Sequence, residues 1–132
     1  MQSAEALRER ILERVAEQRR LIRSLVAQKQ QLRGSLFTRY GKCGKPNCSC
    51  RTGRGHGPYY VLASSGPGGF AYLEPKRAAT AKRQVERYRE FKRDLRALRK
   101  LNDEMLTLLK RYQGVLTREG GRRLGIEPGV TA

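Results

Sequence analysis

The residues of this chain that could carry chemistry lie close together, in the segment KCGKPNCSCRTGRGHGPYY at residues 42–60. This segment contains all three cysteines and the single histidine of the 132-residue chain. Four residues separate the first two cysteines, one separates the second from the third, and five separate the third from the histidine. Three thiolates and one imidazole form the ligand set of a closed tetrahedral zinc site. We therefore predict that zinc is bound by Cys43, Cys48, Cys50 and His56.

Other uses of the cysteines remain open. They could be small buried residues near an unrelated histidine, or they could form a redox pair or hold an iron–sulfur cluster, although such clusters usually take four thiolates. A disulfide framework is disfavoured, because three cysteines leave one without a partner. The glycines around the histidine, Gly53, Gly55 and Gly57, favour the zinc interpretation, because they let the backbone turn so that the imidazole reaches the thiolates.

Two long helices and a small sheet are predicted to position this segment. Apolar residues recur at steps of three and four over residues 4–33 and 75–113, which is the period of an amphipathic helix. Between them, the runs SLFTRY, YYVLAS and FAYLE indicate two or three antiparallel strands within residues 35–74, with the turn-forming sequence SGPGG before the last run. The glycine-rich residues 114–132 lose the helical period and are expected to form a flexible tail.

The fold class expected from this pattern is α+β, mostly α. The two long helices are predicted to pair as an antiparallel coiled-coil hairpin with a small antiparallel β tip between them, although the same apolar stripes would also fit ordinary core packing. Two or three short strands are marginally stable by themselves. In small zinc modules the metal contributes on the order of ten kcal/mol to folding, so we expect zinc to staple the β tip.

The strong positive charge of the chain indicates a polyanionic partner. There are 29 Lys and Arg residues against 12 Asp and Glu, which gives a formal net charge of +17. A codon bias towards G and C is the alternative source of the Arg excess. The residues predicted to bind nucleic acid lie near the zinc ligands or on the second helix, and they are Arg39, Lys42, Lys45, Arg51, Arg54, Tyr59, Tyr60, Lys76, Arg77, Arg87 and Arg93.

The aromatic residues of the predicted strands have two open interpretations. Tyr59, Tyr60, Phe70 and Tyr72 could stack on the unpaired bases of a nucleic acid. They could instead form the small core of the zinc module, because a sheet of this size has few other large side chains to bury. The sequence alone does not separate these two roles.

The run YGKCGKPNCSCRTGRGHGPYYVL resembles the hallmark of a family of short, uncharacterised bacterial and archaeal proteins. The pattern of that family is Cys-Gly-Lys-x-x-Cys-x-Cys followed by His-Gly-Pro-Tyr, and the resemblance covers residues 36–76. It implies that the four predicted ligands act as one unit with Gly57, Pro58 and Tyr59. Genes of this family often lie beside those of transposases or recombinases, so the resemblance also implies a role in the biology of mobile elements.

Together these features predict a zinc-containing, nucleic-acid-binding accessory protein that assists a recombinase or transposase, with DNA rather than RNA as its partner. The alternative is a coiled-coil adaptor whose zinc tip recognises a protein. Enzymatic activity is not expected, because a closed zinc site leaves no open metal position and the sequence has no glycine-rich phosphate loop.

Two further expectations concern assembly and location. Apolar residues that broaden the stripe of the second helix predict a homodimer, since one partner helix would not cover them all. No apolar run reaches the length of a signal peptide or a membrane span, so a cytoplasmic protein with no membrane partner is expected.

Overall fold

The computed structural model describes residues 2–64 and 69–126. Along the chain, a first helix is followed by three strands and then by a second helix. The helices are α1, Ala4–Val26, and α2, Pro75–Arg123. The strands are β1, Ser35–Gly41, β2, His56–Ala63, and β3, Phe70–Leu73, and a single 3-10 turn, Ser49–Arg51, lies between the first two. The prediction of an α+β chain that is mostly helical, with a small antiparallel sheet, is confirmed. Residues 65–68 of the predicted SGPGG turn lie outside the described residues.

The described residues form two compact units. The helical unit contains the residues up to Ala27 and those from Arg93 onwards. The sheet unit is Gln28–Lys92, which contains all three strands, the cysteine-containing segment and the beginning of α2.

In the helical unit, α1 begins at a side-chain cap and packs along α2. The hydroxyl of Ser3 accepts a hydrogen bond from the backbone N–H of Ala6 at 3.1 Å, as expected of an N-cap serine. Further along, Arg14 Nε lies 3.6 Å from Glu104 Oε2, and Gln18 Nε2 donates to Asn102 Oδ1 at 2.9 Å. Since the α2 numbers fall as the α1 numbers rise, the two helices run in opposite directions here. The buried leucines of this unit are Leu7, Leu25, Leu101 and Leu108.

The predicted end of the first helix at residue 33 is wrong, because α1 ends at Val26. Residues 28–33 are not helical, and they make hydrogen bonds with α2 inside the sheet unit. The backbone N–H of Leu32 donates to the carbonyl of Gln84 at 3.1 Å, and Arg87 Nη1 donates to the carbonyl of Gln30 at 3.4 Å. These contacts satisfy backbone groups that a continued helix would have bonded to itself.

The predicted end of the second helix at residue 113 is also wrong, because α2 continues to Arg123. A glycine inside a helix costs only about 1 kcal/mol relative to alanine, so Gly114 does not end the helix. The hydroxyl of Thr117 donates to the carbonyl of Gln113 at 2.8 Å, and Val115 lines the same hollow as the buried Leu7 of α1. The helix therefore continues through Gly114 despite the low helix propensity of glycine. Residues 127–132 of the predicted tail lie outside the described residues.

In the sheet unit, β2 is the central strand and pairs in antiparallel fashion with β1 on one side and β3 on the other. The core is small. Among the described residues of the three strands only Val61 is buried, and the buried residues of α2 in this unit are Ala78, Ala81 and Val85. Across the described part of the chain, neither helix has a stretch long and apolar enough to span a membrane.

The continuation of α2 can be tested with Gly114→Ala. A Cβ at this position would meet only Arg118 Nη1, at an ordinary 3.8 Å, and the helix would gain about 0.5–1 kcal/mol from the better helix former. We expect a higher free energy of unfolding in a urea titration monitored by circular dichroism. The control is Gly125→Ala, where φ is +71° and the same change should lower stability. An unchanged unfolding curve for Gly114→Ala would place this residue in an unstructured tail instead.

Candidate metal centre

The four predicted ligands lie at one end of the β1–β2 hairpin. Cys43 follows the end of β1, Cys48 precedes the 3-10 turn, Cys50 lies within that turn, and His56 is the first residue of β2. The antiparallel register pairs Gly41 with His56, so the two ends of the intervening loop are adjacent. We call residues 42–55 the metal loop.

The ligand atoms of these residues all lie within 4.8 Å of one another, in an arrangement that could hold a metal ion. The Sγ atoms of Cys43 and Cys50 are 3.5 Å apart, and Cys48 Sγ is 3.2 Å from His56 Nε2. In a tetrahedral site with metal–sulfur bonds of 2.3 Å, two sulfurs lie about 3.8 Å apart. The separation of 3.5 Å between the sulfurs of Cys43 and Cys50 is close to that value.

Backbone hydrogen bonds hold the metal loop in this form. The N–H of Cys43 donates to Cys50 Sγ at 3.4 Å, the N–H of Cys48 donates to the carbonyl of Lys45 at 3.2 Å, and the N–H of Arg51 donates to the carbonyl of Cys48 at 3.2 Å. An N–H group that points at a sulfur favours the thiolate form, which is the form that binds a metal.

The thiols of Cys43 and Cys50 differ in acidity. A hydrogen bond from the backbone of Lys45, followed by those from His56 and Cys50, lowers the pKa of Cys43 to about 6. The pKa of Cys50 is raised: the backbone N–H of Cys43 lowers it, but burial and the neighbouring thiols of Cys48 and Cys43 together outweigh that bond. Cys43 is therefore the more acidic of the two thiols.

Two glycines on either side of His56 permit the return of the chain into β2. Gly55 has a φ of +96°, and a Cβ on it would lie 2.6 Å from the carbonyl oxygen of Gly41. Gly57 has a φ of +140°, and a Cβ on it would lie 2.8 Å from the carbonyl oxygen of Arg39. Gly53, which sequence reasoning grouped with them, has open space around it and no positive φ. The imidazole thus depends on Gly55 and Gly57 rather than on all three.

The structure gathers most of the predicted nucleic-acid-binding residues around the metal loop and β2. Lys42 Nζ donates to the carbonyl of Arg51 at 3.1 Å, Arg51 Nη1 donates to the carbonyl of Pro46 at 2.7 Å, and the guanidinium of Arg54 lies 4.6 Å from the centre of the Tyr40 ring. Lys45 is exposed on the same loop. Three of the four loop cations are therefore held in place by the backbone of the loop or by one aromatic ring.

The remaining predicted residues are spread more widely. Lys76 and Arg77 are exposed in the first turn of α2, whereas Arg87 is half-buried and bonded to Gln30. Arg93 is exposed and lies in the helical unit. Tyr59 and Tyr60 are neighbours in β2 and project from opposite faces of the sheet.

Sequence reasoning did not single out one aromatic residue of β1. The ring of Phe37 meets that of Phe70 with 6.4 Å between ring centres and an interplanar angle of 89°. The alternation of Phe37 and Arg39 in the run SLFTRY was the available signal, because residues two apart in a strand share a face. The strand register that brings the two rings together is visible only in the structure.

One comparison with known proteins found a family model that matches part of this chain. Residues 5–69 match the family model of DUF6788, a domain of unknown function. The match contains α1, β1, the metal loop and β2, and it ends before β3 and α2. It agrees with the expectation of an uncharacterised family, but it extends through the first helix, whereas the motif resemblance began at residue 36. No curated protein and no solved structure matches the chain.

The dependence of the site on Gly55 can be tested with Gly55→Ala. The added methyl group would collide with the Gly41 carbonyl and place alanine at a positive φ, so His56 should no longer reach the thiolates. We expect the purified variant to hold clearly less metal than the wild type by elemental analysis. The matched control is Gly53→Ala, two residues away with open space around it, which should hold as much metal as the wild type. Equal metal content in both variants would contradict the assigned role of Gly55.

Proposed function

We propose that this chain is a zinc-containing, nucleic-acid-binding protein in which zinc holds together the end of the β1–β2 hairpin. Support for zinc comes from the donor set, because three sulfurs and one imidazole nitrogen match a closed structural zinc site and leave no position for a reacting water. Further support comes from the small core, since Val61 is the one buried residue among the described strand positions. A bound metal would supply folding free energy that this core cannot.

The observation that carries the nucleic-acid proposal is the uncompensated positive charge around the metal loop. No Asp or Glu occurs in the sequence between Glu17 and Glu74, and the metal loop contains Lys42, Lys45, Arg51 and Arg54. All four side chains are exposed. A cationic surface with no nearby carboxylate suits the phosphate backbone of a nucleic acid, and guanidinium groups bind phosphate oxygens in two-pronged fashion.

The proposed partner is DNA rather than RNA, and the proposed setting is the action of a recombinase or transposase that this protein assists. The setting rests on the motif resemblance, since genes with that motif often lie beside such enzymes. The alternative function is an adaptor that uses the same loop to recognise a protein. An adaptor would form a complex with a co-encoded protein that survives nuclease treatment, whereas a nucleic-acid-binding protein would lose its partner.

The proposal for the helices is an antiparallel coiled-coil hairpin that also forms a homodimer. The contacts of Arg14 with Glu104 and of Gln18 with Asn102 fit the hairpin. A second row of leucines along α2 stays exposed beside the buried Leu101 and Leu108, and its members are Leu95, Leu106, Leu109 and Leu116. Three of them, Leu95, Leu109 and Leu116, are separated by multiples of seven residues, which is the repeat of a coiled coil. A second copy of the chain would cover this row.

The zinc proposal predicts about one zinc per chain in the purified protein. Cys48→Ser removes one ligand, so we expect loss of the metal and melting of the sheet unit, with much of the helical circular dichroism retained. The matched control is Ser49→Ala, an exposed neighbour that contributes no metal-binding atom, and it should keep the zinc. Wild-type protein without stoichiometric zinc, or full retention of zinc in Cys48→Ser, would overturn the assignment.

The charge proposal predicts how affinity depends on salt. Changing Lys42, Lys45, Arg51 and Arg54 to Gln should flatten the plot of log affinity against log salt by roughly three to four units, because each phosphate contact contributes about one. The comparison variant changes Arg89, Arg93, Arg96 and Arg99 of α2, four exposed arginines, to Gln. Zinc content is measured in both variants, because Lys42 and Arg51 also bond to the loop backbone. If the slope of log affinity against log salt falls more in the α2 variant, the binding surface is on the helix and not on the metal loop.

The homodimer proposal predicts a dimeric mass by light scattering at tens of micromolar. The double change Leu106→Glu and Leu109→Glu places charge in the exposed leucine row and should give monomers with an unchanged helix content. The control is Leu124→Glu, an exposed leucine beyond the end of α2, which should stay dimeric. A monomeric wild type would refute self-association through this row.

A further inference from the structure

One face of the sheet carries an aromatic cluster that the metal loop does not explain. Residues that are directly paired across antiparallel strands project from the same face, and the register pairs Arg39 with Tyr59, Val61 with both Phe37 and Tyr72, and Ala63 with Phe70. We call the four aromatic residues Phe37, Tyr59, Phe70 and Tyr72, which come from all three strands, the aromatic face.

The exposure of these rings decides between the two roles that the sequence left open. Phe37 is 40% exposed, Tyr59 44%, Tyr72 63% and Phe70 69%, whereas Val61 in their midst is 1% exposed. Rings that formed the core of the module would be buried as Val61 is. The aromatic face therefore covers one valine, and each of its four side chains keeps at least 40% of its own surface exposed to solvent.

The rings are held in place by one another. Phe37 and Phe70 come from the two outer strands, so their edge-to-face contact at 6.4 Å passes over the central strand beside Val61. Tyr59 and Tyr72 make a second edge-to-face contact at 6.4 Å, with an interplanar angle of 88°. Such pairs stabilise their own geometry by about 0.5–1.5 kcal/mol each. The face is thus ordered before any ligand arrives, which lowers the entropic cost of binding.

A cationic side chain lies at the edge of this face. Arg39 Nη1 donates to the hydroxyl of Tyr72 at 3.3 Å, and Arg39, Gly41, Tyr59 and Tyr72 line an open hollow of about 470 Å³. Gly41 is followed directly by Lys42, the first residue of the metal loop. The hollow is therefore lined by two rings of the aromatic face, by Arg39 and by the residue that directly precedes the metal loop.

Exposed aromatic rings and cationic side chains on the same unit together specify the chemistry of the ligand. A polyanion would bind the cations, but it would gain nothing from exposed rings unless it also presented flat groups that can stack. Nucleobases are such groups, and their faces are accessible only when the strand is not paired into a duplex. We propose that the aromatic face stacks the bases of a single-stranded nucleic acid while the metal-loop cations hold its phosphates; this inference rests on the proposed nucleic-acid-binding function.

The test measures fluorescence anisotropy with three labelled probes at fixed salt: single-stranded oligo-thymidine, a duplex of the same length, and a polyglutamate peptide. Single-strand affinity should fall about tenfold in Phe70→Ala and again in Tyr72→Ala, since one base–aromatic stack is worth roughly that factor. Duplex affinity should change by less than about twofold. The salt slope should stay that of the wild type in both variants, because stacking releases no counterions.

Three further variants make the result specific. Phe70→Tyr keeps a ring and should restore wild-type affinity for the single strand. Tyr72→Phe keeps the ring but removes the hydroxyl that accepts from Arg39, and it should retain most of the affinity. Leu12→Ala removes a comparably exposed apolar side chain from the helical unit and should have no effect. Zinc content and the midpoint of thermal unfolding are measured to confirm that each variant is folded. Substitutions at Phe70 and at Tyr72 test the stacking role independently of each other.

The outcomes separate this inference from the function on which it rests. Equal losses on single strand and duplex, or no loss on either, overturn the stacking role while the salt slopes of the metal-loop variants still report nucleic-acid binding. Polyglutamate binding that is as tight as that of the oligonucleotide and equally weakened by Phe70→Ala points to an acidic protein partner and overturns the inference. A wild type that binds neither nucleic acid overturns both.

Discussion

The convergence of four ligand atoms at the end of the β1–β2 hairpin is the constraint on which the sheet unit depends. Convergence requires the register that places Gly41 opposite His56, and it requires a residue without a side chain at Gly55, where the Gly41 carbonyl leaves no room for a Cβ. The strands themselves bury one residue, Val61, so hydrophobic burial holds them only weakly. The loop cations and two residues of the aromatic face, Phe37 and Tyr59, belong to this same hairpin, and β3 adds Phe70 and Tyr72 by pairing with β2.

The local chemistry of this chain was predictable from its sequence because it is concentrated in few residue types. Three cysteines and one histidine lie within fourteen positions of a chain that has no others, and such spacing leaves few arrangements besides a common site. The strands were also predictable, since the runs SLFTRY and FAYLE combine apolar, aromatic and β-branched residues between glycines and other turn formers. In both cases the determining interactions act over short sequence distances.

Features that depend on distant residues were not predictable. The helix α1 ends at Val26, and the residues that follow it bond to α2 instead. Leu32 donates to Gln84, and Gln30 accepts from Arg87, so each bond joins residues more than fifty positions apart. Strand register decides that Tyr59 belongs to the aromatic face and Tyr60 to the opposite one. Propensity and periodicity describe one segment at a time, whereas helix ends and strand registers of this kind depend on contacts between two segments.

The absence of carboxylates between Glu17 and Glu74 has a consequence for how the surface behaves in different media. Lys and Arg side chains generally lose their protons only above about pH 10, and carboxylates titrate near pH 4. The single histidine and all three cysteines of the chain belong to the metal cluster. In this segment the charge therefore responds to moderate changes of pH mainly through the four side chains of this cluster. In the proposed zinc site, Zn²⁺ with three thiolates and a neutral imidazole would carry a net charge of −1, so loss of the ion with reprotonation of the thiols would change the charge there by about one unit.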